Sequence, residues 1–475
     1  MRLVNRSMVT IDDLSNEEIE AVFSLADEMS DSMNGQSNVC QGKIMASLFF
    51  EPSTRTRLSF ETAMHRLGGN VISAIDVNAT SLAKGESIAD MARVVGSYAD
   101  IIVIRHPWEG AAKVTADYAG VPVINAGDGS HEHPTQTLCD LYTLKKERQT
   151  IKGLRIALCG DLKYGRTIHS LIYALTRLGA TTFLWPGSGL DMPEHIKQKL
   201  ITEYGADVEK IPADTLPSLL VGREDLAVDT SLDAIYITPS RAHQLALIPD
   251  ISIPIDLVKE YDALYITRLQ KERLAATTEA QDLKRDYPVV DRKLLKGKEF
   301  KRTLVMHPLP RIDELAYEVD ADPRSMYFKQ AARGVPIRMA LIALLLGDKE
   351  VDIPDKEVPP IQKRAYPLYR RDSGISCPNL NCVSVQETET RYMKPEFEIV
   401  TNEPLTLRCV YCEHEVRPKY IASSEWHQGM LKSKKYHSAH SHLVRRIKPE
   451  NLIIFNSESE AQAHGFKPSN YASKR

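Results

Sequence analysis

Neither sign of charge dominates this chain. Its 475 residues carry 60 Lys and Arg against 63 Asp and Glu, with a formal net charge of -3 and a pI near 6.6. That balance argues against a general role in binding nucleic acid or membrane surfaces. Long apolar stretches are lacking too: the most apolar run, Met339 to Leu346, falls far short of the about 20 residues a spanning helix needs. There is no Gly-x-Gly-x-x-Gly and no Walker loop, so dinucleotide and ATP readings lack their motif. No long-period repeat or low-complexity tract is present. The first acidic residues, Asp12, Asp13, Glu17 and Glu18, are unlike a targeting peptide, and a cytoplasmic protein is expected.

Cysteine is scarce, with seven in all, yet four of them are clustered. They read Cys377-x4-Cys382 and Cys409-x2-Cys412. Two close pairs separated by a loop can bring four thiolates to one tetrahedral zinc, with Zn–S bonds of about 2.3 Å. The loop between them alternates polar and apolar residues, including Phe397, Ile399, Val400, Leu405 and Leu407, as short strands around a metal would. The alternatives are four scattered structural cysteines or a disulfide framework, the latter disfavoured without a secretory segment. No obvious catalytic base lies in the knuckles, so one structural zinc per chain is expected.

Elsewhere strand-like and helix-like segments alternate. Ser15 to Glu18 reads as a capping box opening a helix through about Met29. Lys43–Phe50, Asn70–Ile75, Asp100–Ile104 and Val121–Asn125 read as strands, with helices over Arg57–Leu67 and Thr135–Glu147. A second series runs through strand Arg155–Cys159, helix His169–Leu178 and strands Thr181–Trp185, Ala263–Ile266 and Thr303–Met306. This pattern predicts an α/β protein: two doubly wound parallel-sheet lobes with a site at the strand C-termini. The expected lobes are 1–148 and 149–348, followed by a Pro-containing linker over 349–372 (Pro354, Pro359, Pro360, Pro367), a zinc-binding β module over 373–422 and a small, basic tail module over 423–475.

The chemistry is concentrated at those strand ends. Phe50-Glu51-Pro52-Ser53-Thr54-Arg55-Thr56-Arg57 follows a strand and opens a helix, which aims free N–H groups, hydroxyls and a guanidinium fork at an anion. A helix cap with solvated arginines is the plainer alternative. Further strands end at Arg105-His106-Pro107, His131 to Gln136, Gly160 to Thr167, Thr267 to Gln270 and His307-Pro308-Leu309-Pro310-Arg311. So many basic and polar groups along one edge imply a substrate with several negative charges.

These segments, from about Leu48 to Gly347, closely resemble the aspartate carbamoyltransferase catalytic chain. Thr135 within His133-Pro134-Thr135-Gln136, and the His307 to Arg311 run, separate it from ornithine carbamoyltransferases, which carry Cys at both places. The resemblance implies carbamoyl transfer from carbamoyl phosphate to L-aspartate, in pyrimidine synthesis. It implies that Ser53, Thr54, Arg55 and Thr56 hold phosphate, and that Thr56, Arg105 and His133 face the carbonyl oxygen. Arg55, Thr56, Arg105 and His133 are thereby the expected catalytic residues. Gln136 and the carbonyls near Leu309 and Pro310 would orient the carbamoyl amino group, while Arg166, Arg268 and Gln270 would hold the aspartate carboxylates. Ser81 and Lys84 match a loop that in the family reaches a neighbouring subunit, so a homotrimer, or a hexamer of two trimers, is expected. A carbamoyltransferase for another amino acid and a non-catalytic scaffold are the alternatives.

Two departures accompany the match. Residues 205–262 exceed the family's usual length, and a surface insertion is expected there. The cysteine module resembles the zinc domain of the aspartate carbamoyltransferase regulatory chain, without room for its nucleotide-binding domain. The tail resembles an Ada-type metal module with Ser441, Ser469 and Ala472 where that pattern has Cys, so a metal-free docking module is expected.

Overall fold

The structure, a computed structural model, describes residues 3–31, 37–75, 84–187, 189–206, 209–210, 232–238, 260–268, 289–347, 349, 366–370, 375–387, 391–402, 404–427, 430–431 and 434–469. It divides into two compact units, one of residues 1–75, 98–105 and 121–361, the other of 76–97, 106–120 and 362–475.

The strands of the two expected lobes are β1 (Ile44–Phe49), β2 (Asn70–Ala74), β3 (Ile101–His106) and β4 (Val123–Asp128), then β5 (Arg155–Gly160), β6 (Thr181–Pro186), β7 (Glu209–Lys210), β8 (Ala234–Thr238), β9 (Ala263–Ile266) and β10 (Leu304–Met306). The helices are α1 (Asn16–Asp31), α2 (Thr54–Arg66), α3 (Ile88–Gly96), α4 (Ala111–Ala119), α5 (Pro134–Arg148), α6 (Arg166–Arg177), α7 (Glu194–Tyr204) and α8 (Tyr327–Leu346). Two sheets result, ordered β2-β1-β3-β4 and β10-β9-β8-β5-β6-β7. The second is parallel throughout.

Apolar runs buried on both faces explain the sheets. In the second, Ile156, Leu158, Tyr236 and Tyr265 join the main core, while their alternating neighbours Ala157, Cys159, Ile235, Ile237, Leu264 and Ile266 fill a second core on the opposite face. The expected lobes 1–148 and 149–348 each carry one of these sheets and share a core. The main core runs without interruption from Leu3 in the first to Leu345 in the second. Asp12 strengthens the join, lying 2.9 Å from Arg177 Nη1 on α6 and 3.0 Å from Lys199 Nζ on α7. The capping box at α1 is present: Ser15 Oγ accepts from Glu18 N at 3.2 Å, and Ser15 N donates to Glu18 Oε2 at 2.8 Å.

Within residues 205–262, expected as a surface insertion, Ala234–Thr238 forms β8, while 211–231 and 239–259 lie outside the described residues. This strand is buried at every position and lies between β5 and β9; five consecutive buried residues form a central strand, not a surface excursion.

The second unit holds α3, α4 and the C-terminal modules. Its strands are β11 (Leu368–Tyr369), β12 (Phe397–Asn402), β13 (Leu405–Cys409), β14 (Glu415–Val416), β15 (Tyr420–Ser423), β16 (Trp426–His427), β17 (Met430–Leu431), β18 (Lys435–Ser438), β19 (Leu452–Phe455) and β20 (Lys467–Pro468), with short helices α9 (Val383–Gln386) and α10 (Glu458–Ala463). The cysteine module is the sheet β11-β12-β13-β14, the tail the sheet β19-β15-β18-β20. Two strands pair across the expected boundaries. Leu368–Tyr369, placed in the linker, pairs with Phe397 and Glu398. Tyr420–Ser423, placed almost wholly in the zinc module, pairs with β18 and β19 of the tail.

Candidate active site

The Ser53 to Arg57 run behaves as its sequence requires. Ser53 caps α2 with extended backbone and no side-chain cap hydrogen bond, so its hydroxyl is not spent on the helix. The hydroxyls and guanidinium of Ser53, Thr54, Arg55 and Thr56 line a cleft of about 380 Å³. Arg105, His133, Gln136, Arg166, Arg268, Leu309 and Pro310 line it too. The structure thus brings together eleven of the expected residues from α2, the C-terminus of β3, the start of α5 and α6, and the loops after β9 and β10. Ser81 and Gln270 lie outside the described residues. Lys84 is exposed and belongs to the second unit.

Cations dominate the cleft. Arg105 and Arg166 are nearly buried and share one counter-charge that sequence reasoning had not singled out: Glu51 Oε2 lies 3.0 Å from Arg105 Nη2 and 2.8 Å from Arg166 Nη1. Arg166 Nη1 also donates to Gly129 O at 2.8 Å, and Arg105 Nη1 to Ala126 O at 3.2 Å. Gly127, at φ 117°, makes room for both: a Cβ there would sit 3.0 Å from Arg105 Nη1 and 3.5 Å from Arg166. Partial burial and then the nearby Arg268 hold the Arg55 guanidinium below its ordinary pKa.

A fifth guanidinium was also missed. Arg338, within apolar α8, is 4% exposed and lines the same cleft. It donates to Ser59 Oγ at 3.0 Å and contacts Cys139 Sγ at 3.7 Å, stacked over the Phe60 ring at 4.9 Å. Its Nε is buried with no partner among the described residues. The signal was a cation immediately before the most apolar run of the chain, Met339 to Leu346.

His133 occupies the cap position of α5, ahead of Pro134, and its N–H donates to Ser170 Oγ at 2.9 Å. Burial lowers its pKa well below the ordinary imidazole value, and Arg105, Arg166 and Arg338 lower it further. The imidazole is therefore neutral, able to donate one hydrogen bond without adding a charge. The His307 to Pro310 turn is held from beneath. Leu309 N donates to His307 Nδ1 at 2.7 Å, so the proton of the neutral ring sits on Nε2, 2.7 Å from buried Glu314. Gln136 Nε2 donates to Asp140 Oδ1 at 2.7 Å, and Gln330 Nε2 donates to the same oxygen at 2.7 Å.

The four module cysteines converge as expected, all buried and with sulfur atoms within 4.8 Å of one another. Cys377 and Cys412 Sγ are 3.4 Å apart, Cys382 and Cys409 Sγ 3.8 Å. These match the edge of about 3.8 Å of a tetrahedron with 2.3 Å metal–sulfur bonds and exceed an S–S bond of about 2.05 Å. In the same unit, the Cys377 knuckle joins the segment before α4. Glu109 N donates to Asn381 O at 2.9 Å, Val383 N to Glu109 O at 2.8 Å, and Asn379 Nδ2 to Glu109 Oε2 at 2.7 Å. Arg93 is sandwiched between the rings of Tyr118 and Tyr392, at 4.8 and 4.5 Å. Ser441 and Ser469 fall in the described part of the tail, Ala472 outside it.

Comparison with known proteins gives three domain matches. Residues 6–146 match the carbamoyl-P binding domain of aspartate/ornithine carbamoyltransferase, residues 241–345 its Asp/Orn binding domain, and residues 372–422 the metal binding domain of the aspartate carbamoyltransferase regulatory chain. The chain is 45% identical over 353 residues to the aspartate carbamoyltransferase catalytic subunit of Thermoplasma acidophilum, covering 73% of this chain and 100% of that one. It is 44% identical over 349 residues to that of Thermococcus onnurineus, covering 73% and 99%. Among solved structures, the M. jannaschii catalytic subunit matches with a TM-score of 0.56 at 40% identity, over 72% of this chain and 99% of that one. The Trypanosoma cruzi aspartate transcarbamoylase in complex with N-(phosphonacetyl)-L-aspartic acid matches with a TM-score of 0.58 at 36% identity, over 72% and 97%.

Proposed function

The chain belongs to the aspartate/ornithine carbamoyltransferase family, and from that premise we propose how its residues divide the reaction. It is an aspartate carbamoyltransferase: carbamoyl phosphate and L-aspartate give N-carbamoyl-L-aspartate and phosphate. The observation that carries the residue roles is the cleft itself, where five guanidiniums meet the neutral imidazole of His133. Ser53, Thr54, Arg55 and Thr56 hold the phosphate, with backbone N–H groups of α2 behind them. Thr56, Arg105 and His133 donate to the carbonyl oxygen. As the aspartate amine attacks the carbonyl carbon, that oxygen becomes an oxyanion, and fixed donors stabilise it. The bond from carbon to phosphate oxygen then breaks, and the departing phosphate takes the amine proton. Arg166 and Arg268 hold the two carboxylates, since guanidinium forks match carboxylates bidentately.

The four thiolates fit zinc, which would supply tetrahedral cross-linking and no chemistry, because a closed sulfur sphere leaves no open position. A cytoplasmic homotrimer, or two trimers joined through cysteine modules, completes the proposal. Among the described residues, no helix is long and apolar enough to cross a membrane.

The test is a substrate panel. Turnover should require aspartate, and a phosphonate joined to aspartate should bind far more tightly than either substrate. Equal or better turnover with ornithine would overturn the assignment.

A further inference from the structure

We propose that Asp140 is a positioning residue for the acyl group: it fixes the Gln136 amide so that Gln136 Oε1 meets the amino group of carbamoyl phosphate. The inference rests on the assignment of that amino group to Gln136.

Asp140 lies one helical turn after Gln136 on α5 and is 1% exposed. Its Oδ1 accepts from two amide nitrogens, Gln136 Nε2 and Gln330 Nε2, each at 2.7 Å. Its Oδ2 accepts from Tyr265 Oη at 3.0 Å. Gln330 turns its Oε1 to His307 N and so its nitrogen to Asp140, and the ionised carboxylate can only accept, so Gln136 also presents its nitrogen. The amide carbonyl is thereby left for the cleft that Gln136 lines. A rotation of that amide by half a turn would set its NH2 against the substrate NH2, donor against donor.

The surroundings hold the carboxyl in turn. Tyr265 stacks on Tyr236 with centroids 4.3 Å apart and planes within 15°, and Tyr236 Oη donates to Thr167 Oγ1 at 3.2 Å. Gln330 Oε1 accepts from His307 N at 3.0 Å, at the start of the turn carrying Leu309 and Pro310. Asp140 therefore joins three elements that face the carbamoyl group: α5, α8 and the turn after β10. A carboxyl so deeply buried is unfavourable, and burial pushes it up to about 7 against the hydrogen bonds of Gln136, Gln330 and Tyr265. A side chain needed only to fill space would be apolar there.

Carbamoyl and acetyl phosphate separate this role from a merely structural one, because acetyl phosphate carries methyl where the amino group stands. The measurement is the dissociation constant of each, acetyl phosphate as a competitive inhibitor, in the full-length protein. Asp140→Leu should reduce the preference for carbamoyl over acetyl phosphate about tenfold, the scale of one oriented hydrogen bond, and Gln136→Ala should do the same. Asp140→Asn keeps an accepting oxygen in place and should retain the native preference. If Asp140→Leu does not fold, Asp140→Ser, too short to reach Gln136, is read identically. Equal weakening of both acyl phosphates, or an intact preference beside a lost one in Gln136→Ala, overturns the proposal. An intact preference in Gln136→Ala overturns the role of Gln136, and the proposal with it.

Discussion

Glu51 Oε2 and Arg166 Nη1 stand 2.8 Å apart, and Arg105 reaches the same oxygen at 3.0 Å. One carboxylate thus orients a guanidinium assigned to the carbonyl oxygen and another assigned to aspartate. Glu51→Gln removes that shared charge-assisted contact, and the KM for aspartate should rise about tenfold. Steady-state kinetics at saturating carbamoyl phosphate would reveal it. An unchanged KM would mean that Gly129 O alone suffices to aim Arg166.

The neutral state of His133 has a kinetic signature. Because burial and then three arginines depress its pKa, the ring does not titrate between about pH 6 and 8, where an ordinary imidazole would. His133→Ala should lower kcat by about 10²- to 10³-fold, as loss of one oxyanion donor does, and leave the shape of the pH profile unaltered over that range. An acidic limb near an ordinary imidazole pKa that disappears in the variant would contradict the assignment.

Asp12 should matter for stability, not turnover. Burial alone would raise its pKa, but Lys199, Arg177 and a hydrogen bond from Tyr204 lower it on balance. Asp12→Asn leaves buried cations without their carboxylate and should cost about 3–5 kcal/mol, seen as a lower denaturation midpoint. A lowered folded pKa means the unfolded state binds the proton more readily. The contribution is complete above the unfolded carboxylate pKa near 4 and is lost as pH falls from there through the lower folded pKa.

Metal analysis should find about one ion per chain, bound by Cys377, Cys382, Cys409 and Cys412. A thiol reagent that strips it should unfold the cysteine module while trimers keep turning over. Two ions per chain would show that the tail holds a second metal. Immediate loss of turnover in intact trimers would refute a structural role.

Lys84 is exposed, and the proposed trimer assigns it to the site of a neighbouring chain. Mixing inactive Lys84→Ala and Arg55→Ala proteins should restore part of the activity, since a hybrid trimer can contain an intact site. No recovery after verified subunit exchange would count against shared sites.

The strands expected at Lys43–Phe50, Arg155–Cys159 and Ala263–Ile266 appear within a residue or two, because runs buried on both faces are nearly continuous in apolar residues. Helix α8 was harder. It is apolar on most sides and contains Pro336, so it lacks the stripe that marks an amphipathic helix. Strand β8 was obscured because residues 205–262 were expected as a surface insertion. The motif-bearing half of the site, from Ser53 to Gln136, was legible because strand ends and helix starts follow the alternation. Glu51, Asp140, Gln330 and Arg338 were not, since their importance lies in partners distant along the chain. Gln136 and Asp140 four apart on α5, and Arg338 between Ile337 and Met339, were the only hints.

The knuckle that carries Asn379 and Asn381 closes on Glu109 through a handful of hydrogen bonds. Between separate polypeptides so small a contact would be governed by dilution, parting as the concentration falls. Here both partners belong to one polypeptide, and the local concentration of one at the other is on the order of millimolar. Expression level then ceases to control whether the module is seated. The stoichiometry, one module to each catalytic chain, is written into the sequence itself.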